Sequence, residues 1–268
     1  MPTPTRTTPT RGAKTPARSA KRSGSYWQAS RAHRYSLLFA LPLLLIYEAL
    51  AALLAHDPSV GGVRNGADVV LKSLFVAVAG HRGPLVFMAI VVGICVWLVW
   101  RDLRAAGGRL QAWIFGGMVV ESVVLALAFG VVVGTLTVRL LGPLGALAAG
   151  ADDIEAMSWP ARLMLSIGAG LYEELLFRVA LVSALANGGR IVLGWSRGAA
   201  GVVATIVGAL IFSAFHYLGP YGEEFALQSF TFRAIAGVMF SALYLTRGFG
   251  ITAWTHSLYD VFVLMVWD

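Results

Sequence analysis

QAWIFGGMVVESVVLALAFGVVVGTLTVRLL, residues 111–141, holds one acid, Glu121, and one base, Arg139, in an otherwise apolar or small run. A helix needs about 20 apolar residues to cross the ~30 Å hydrocarbon core of a bilayer, so this run reads as a membrane-spanning helix. Comparable runs lie near residues 35–55, 84–100, 161–186, 200–218, 225–245 and 249–267, separated by charged punctuation. The sequence therefore predicts an all-α protein, a polytopic transmembrane helix bundle of about seven spans over residues 35–268. The segment ADVVLKSLFVAVAG, residues 67–80, is short and carries Lys72, and is expected as an interfacial helix.

Composition agrees with a membrane solvent. The chain has 57% apolar and 13% charged residues and a mean hydropathy of +0.73, whereas soluble domains sit near half apolar and a quarter charged. The net charge of +7 belongs to one end, because residues 1–34 hold eight of the 21 Lys and Arg residues and no acid. Residues 1–34 read as a disordered, basic cytoplasmic tail, too poor in apolar residues to fold. Its expected partners are anionic lipids of the bilayer; no aromatic platform accompanies the charge, so no nucleic-acid partner is expected. The lone Cys95 excludes an intramolecular disulfide and a cysteine-rich metal site. No secretory signal peptide is expected, since the first apolar run is long and follows the tail.

Lys and Arg collect on cytoplasmic connections of membrane proteins. The tail, Arg101/Arg104/Arg109, Arg190/Arg197 and Arg247 fall on one side of the expected spans, and Asp152/Asp153/Glu155 and Glu223/Glu224 on the other. The N-terminus is thus predicted cytoplasmic and the C-terminus external. Gly168, Gly170, Gly201 and Gly208 suit close helix packing. No internal repeat of the kind found in many secondary transporters is present.

Ionisable groups at membrane depth cost at least about 2.5–3.5 kcal/mol each on insertion scales, and so mark function by default. They concentrate in the second half: Glu173, Glu174 and Arg178 in LYEELLFR (171–178), His216 at the end of FSAFH (212–216), and His256 and Asp260 in HSLYD (256–260). Each motif has an i,i+4 spacing that brings its ends to one helix face. Three helices thereby turn Glu173, Glu174, His216, His256 and Asp260 toward one cavity. The bland alternative is a polar cluster that only holds helices together. It fits any single residue, but fits two glutamates with two histidines poorly, because Ser or Thr would do the same at lower cost. His216 falls near the external end of its span and His256 toward the cytoplasmic end of its own, so a shared cavity requires tilt or shifted boundaries. Glu48 and Glu121 are expected to snorkel or to bond between helices, and His33, His56 and His81 to be solvated.

These motifs resemble those of the CAAX prenyl protease 2 and bacteriocin-processing family, also called CPBP or Abi. That family carries Glu-Glu-x-x-x-Arg, Phe-x-x-x-His and His-x-x-x-Asn/Asp in order, matched here by Glu173-Glu174 with Arg178, Phe212 with His216, and His256 with Asp260. The resemblance covers about residues 160–265. It implies an intramembrane endopeptidase acting on a membrane-anchored protein or peptide substrate. It further implies Glu173 as general base, His216 as its aid in positioning water, and His256 and Asp260 facing the tetrahedral intermediate. Glu174, Arg178 and Phe212 would support this geometry.

No Gly-x-Ser-x-Gly motif occurs and Cys95 lies far from the cluster, which leaves activated water as nucleophile. Asp260, where many relatives carry Asn, is either a protonated donor or the acceptor that orients His256. Glu173, His216 and His256 would also make a three-ligand zinc site with an open position, although His-Glu-x-x-His is absent. Glutamate catalysis without metal is the preferred reading. The alternatives in other classes are a non-catalytic scaffold or immunity protein of the same fold, and a proton-coupled transporter. Ala/Gly/Arg/Val-rich usage points to a bacterial cell membrane.

Overall fold

In a computed structural model of the chain, which describes residues 25–56, 62–107, 109–142, 157–219 and 222–266, the regular elements are all helical. They are α1 (Tyr26–Ser30), α2 (His33–Leu53), α3 (Gly66–Ala79), α4 (Gly83–Ala105), α5 (Ala112–Leu141), α6 (159–191), α7 (Arg197–Phe215), α8 (Leu227–Arg247) and α9 (Phe249–Val266). Among the described residues five stretches are long and apolar enough to cross a membrane: His33–His56, Gly66–Ala105, Ala112–Leu141, Arg197–Phe215 and Leu227–Arg247. The chain is an integral membrane protein. The stretches expected to span at 161–186 and 249–267 form α6 and α9, neither of which is among these five, and α6 carries Glu173, Glu174 and Arg178 in mid-helix.

Residues 66–105 would be a rod of roughly 60 Å if straight, about twice the hydrocarbon thickness. Instead the chain reverses at Gly80, whose φ of 58° is open to glycine, and Gly83 lies against the backbone of Phe75 and Val76. Phe75 and Phe87 meet across the turn at 5.4 Å. Lys72, which in the sequence marks α3 as interfacial, is buried and paired with Asp68 (2.6 Å) and Glu48 (2.8 Å). Glu48 also accepts from Tyr172 Oη (2.6 Å) and Arg64 Nη2 (2.9 Å), so it bonds between helices.

At one end of the bundle the basic segments meet. Arg34 Nη1 donates to Asp102 Oδ1 (3.1 Å) and the Gln111 N–H to Tyr35 Oη (2.9 Å). Arg247 binds Glu121 and lies over the Trp27 ring at 4.1 Å. Glu121, which also accepts from Tyr26 Oη, is thus the helix-to-helix bond expected of it. The tail acquires helical structure at Tyr26, where α1 packs against α5. Residues 1–24 and the acidic Asp152/Asp153/Glu155 segment lie outside the described residues. His33, His56 and His81 are exposed, as expected.

Two glycines decide how α6 is enclosed. A Cβ on Gly170 would collide with Ser257 and the carbonyl of Ala253 in α9, and one on Gly168 with the Tyr47 ring and Asn65. Gly208 similarly admits Val182, whereas Gly201 faces open space. Gly170→Ala should therefore destabilise the bundle by about 1–3 kcal/mol through overpacking. Gly201→Ala should be stabilising by roughly 0.5–1 kcal/mol through helix propensity. Thermal unfolding of the two variants in detergent checks the opposite signs.

Candidate active site

The middle of α6, Ala169–Val182, is π-helical, flanked by α-helical Trp159–Gly168 and Ser183–Ile191. A π-turn bonds i to i+5 and is commonly found at functional sites, usually as a single turn. Here it presents Glu173, Glu174 and Arg178, all buried. The α6–α9 contact at Gly170 sets this stretch beside His256.

Glu174 is wholly buried and meets two groups with one oxygen. Its Oε1 lies 3.2 Å from Arg178 Nη1 and 2.8 Å from His256 Nδ1. An ionised carboxylate only accepts, so Nδ1 of His256 carries the proton and donates. The Arg178 guanidinium lies 4.4 Å from the Phe212 ring centroid and 5.5 Å from that of Phe240, so aromatic faces take up its remaining surface. Phe240 also stacks on the His256 imidazole, with centroids 4.2 Å apart and planes 21° from parallel. The other ring nitrogen, Nε2, stands 3.6 Å from Asp260 Oδ2, and the Asp260 side chain is 27% exposed. Asp260 is the accessible edge of a group whose other acids are enclosed.

His216 follows the last residue of α7. Its Nδ1 is 2.9 Å from the Phe212 carbonyl. A carbonyl only accepts, so Nδ1–H donates and Nε2 of the neutral ring keeps its lone pair. Phe212 touches His216 (5.0 Å between centroids, edge-on) and His256 (6.5 Å). It is the wall shared by both histidines and by Arg178, rather than packing alone.

Glu173 lies within electrostatic reach of His216, His256 and Arg178. Its Oε1 accepts from Asn65 Nδ2 at 2.9 Å. Asn65 is the N-cap of α3, with Oδ1 taking the N–H groups of Ala67 and Asp68.

The structure brings together the motif residues Glu173, Glu174, Arg178, Phe212, His216, His256 and Asp260. Sequence reasoning missed Asn65. Its signal, an Asn before Gly-Ala-Asp at a helix start, is an ordinary capping pattern that says nothing of what the amide faces. The zinc set of Glu173, His216 and His256 does not fit. Among the described residues no three His, Cys, Asp or Glu side chains are grouped to hold a metal ion. No step is derived through a metal.

Residues 155–262, which contain α6 to α9, match a family model described as type II CAAX prenyl endopeptidase, Rce1-like. No curated protein and no solved structure matches the chain.

Removing one partner of a buried ion pair strands the other charge, at a typical cost of 3–5 kcal/mol. Glu174→Gln should thus destabilise the protein by about 3–5 kcal/mol. Adding Arg178→Met to Glu174→Gln should recover most of that loss. Thermal unfolding of the single and double variants tests both signs.

Proposed function

We propose, from the match of residues 155–262 to the Rce1-like model of type II CAAX prenyl endopeptidases, that the chain hydrolyses a peptide bond of a membrane-anchored substrate with water activated by Glu173 and His216. The observation that carries this reading is a buried carboxylate, Glu173, within electrostatic reach of His216, whose Nδ1 is taken by the Phe212 carbonyl.

A water held between these groups loses its proton to Glu173 as its oxygen attacks the scissile carbonyl carbon. The carbonyl oxygen becomes the oxyanion and meets a proton carried on His256 Nε2 or on Asp260. The 3.6 Å from Nε2 to Oδ2 exceeds a hydrogen bond, so a proton on either atom remains available to an entering oxygen. Glu173 then returns its proton to the departing amine, the C–N bond breaks, and the new carboxyl group gives the second water proton to the freed amine, so that the products leave as a carboxylate and an ammonium. Glu174 fixes the ring of His256, and Arg178 fixes Glu174. No covalent intermediate and no metal enters these steps.

In this reading the substrate approaches in the plane of the bilayer, where its lipid or apolar anchor lies. The basic end formed by Arg34, Arg101, Arg104 and Arg247 is the cytoplasmic face, by the preference of Lys and Arg for that side. The tail meets anionic headgroups there, and the host membrane is a bacterial cell membrane.

The full chain in proteoliposomes should cleave an internally quenched peptide ending in a prenylated Cys-aliphatic-aliphatic-X box. Glu173→Gln should reduce kcat by roughly 10²–10⁴-fold, the usual worth of a general base, at an unchanged melting temperature, and 1,10-phenanthroline should leave the wild-type rate as it was. A scaffold would keep its cellular phenotype with Glu173→Gln, and mass spectrometry of membrane-anchored proteins would then find no retained termini.

A further inference from the structure

Asn65 lies outside the stretch matched by the family and outside each motif of the sequence, yet its amide touches Glu173. The contact is directional. Oδ1 accepts from the N–H of Ala67 (2.9 Å) and of Asp68 (3.4 Å). A flipped amide would set Oδ1 against the Glu173 carboxylate and Nδ2 against two backbone donors, so the cap dictates that Nδ2 faces Glu173.

The support beneath it is equally fixed. The Asn65 N–H donates to Tyr47 Oη (3.3 Å), and Tyr47 in turn donates to Asp68 Oδ2 (2.9 Å). Asp68 is wholly buried and paired with Lys72 and Arg64. Gly168 makes room on α6: a Cβ there would stand 2.9 Å from the Asn65 Cβ. Tyr47, Asn65, Asp68 and Lys72 thus form one braced unit joining α2 and α3 to the base.

We propose that Asn65 is a positioning residue, whose amide holds one oxygen of Glu173 so that the other is presented to water. This rests on the reading of Glu173 as general base. It assigns α3, which lies outside the matched stretch, a part in the reaction.

Three variants of the full chain in proteoliposomes, assayed with the quenched prenylated peptide, separate positioning from capping. Asn65→Ser and Asn65→Asp both retain a cap, but Ser is too short to reach Glu173 and Asp sets a carboxylate against it. Both should lose kcat on the order of 100-fold, the scale of a misplaced catalytic group, with KM within about twofold; the melting temperature should fall less in Asn65→Ser than in Asn65→Ala, and further in Asn65→Asp, which sets two buried carboxylates together. Asn65→Ala should show the same loss of kcat and also a lower melting temperature. Wild-type kcat in Asn65→Ser and Asn65→Asp would reduce Asn65 to a helix cap and overturn the proposal.

A melting-temperature cycle of Asn65→Ser and Glu173→Ala needs no turnover. Non-additive shifts are expected, and additive ones overturn the contact itself. Should the wild type leave the peptide uncut, the hydrolase reading fails, and the cycle alone decides whether Asn65 and Glu173 are coupled.

Discussion

Glu174 has to answer a guanidinium charge, Arg178, and a hydrogen-bond donor, His256, with one carboxylate in a place that excludes water. An unshared charge there would cost several kcal/mol. The arrangement is tolerable because all three groups come together, with Phe212 and Phe240 filling the remaining sides. Once Glu174 is committed in this way, the adjacent Glu173 points elsewhere on the helix, toward Asn65 and within electrostatic reach of His216. The division between a structural acid and a reactive one follows from their neighbours rather than from their identity.

Close packing of helix backbones makes that division possible. Gly170 lets α9 approach on one side of α6 and Gly168 lets α2 and the start of α3 approach on another. Lipid offers no hydrophobic drive for helices to associate, so small residues at crossings and polar contacts between helices supply the cohesion. In this chain the two devices coincide, since the crossing residues stand within two turns of Glu173 and Glu174.

The sequence made much of this legible. Apolar run lengths gave the helices, and the i,i+4 spacings in residues 173–178, 212–216 and 256–260 named seven side chains that do meet. What it could not reveal was set by packing. Lys72 looks like an interfacial marker until it is seen paired with Asp68, one turn back, and with Glu48, which lies outside the 14-residue helix. Asn65 announces a helix start but not its neighbour across more than 100 residues of chain. The zinc possibility had the right residue types, but among the described residues its three side chains are not grouped to hold an ion. Nothing in local propensity distinguishes the π-helical turns of α6 from ordinary α-helix, because the widening depends on what presses against it.

His216 takes its tautomer from the Phe212 carbonyl, near a helix end where carbonyls lack an onward partner in the helix. Its ring is therefore indexed to the terminus of α7 and not to any particular side chain nearby. One residue inserted upstream in that helix would swing the imidazole by roughly 100° about the axis. Selection on such a protein would thus act on the register of α7 as strongly as on the histidine itself, and length variation should be confined to the loops on either side.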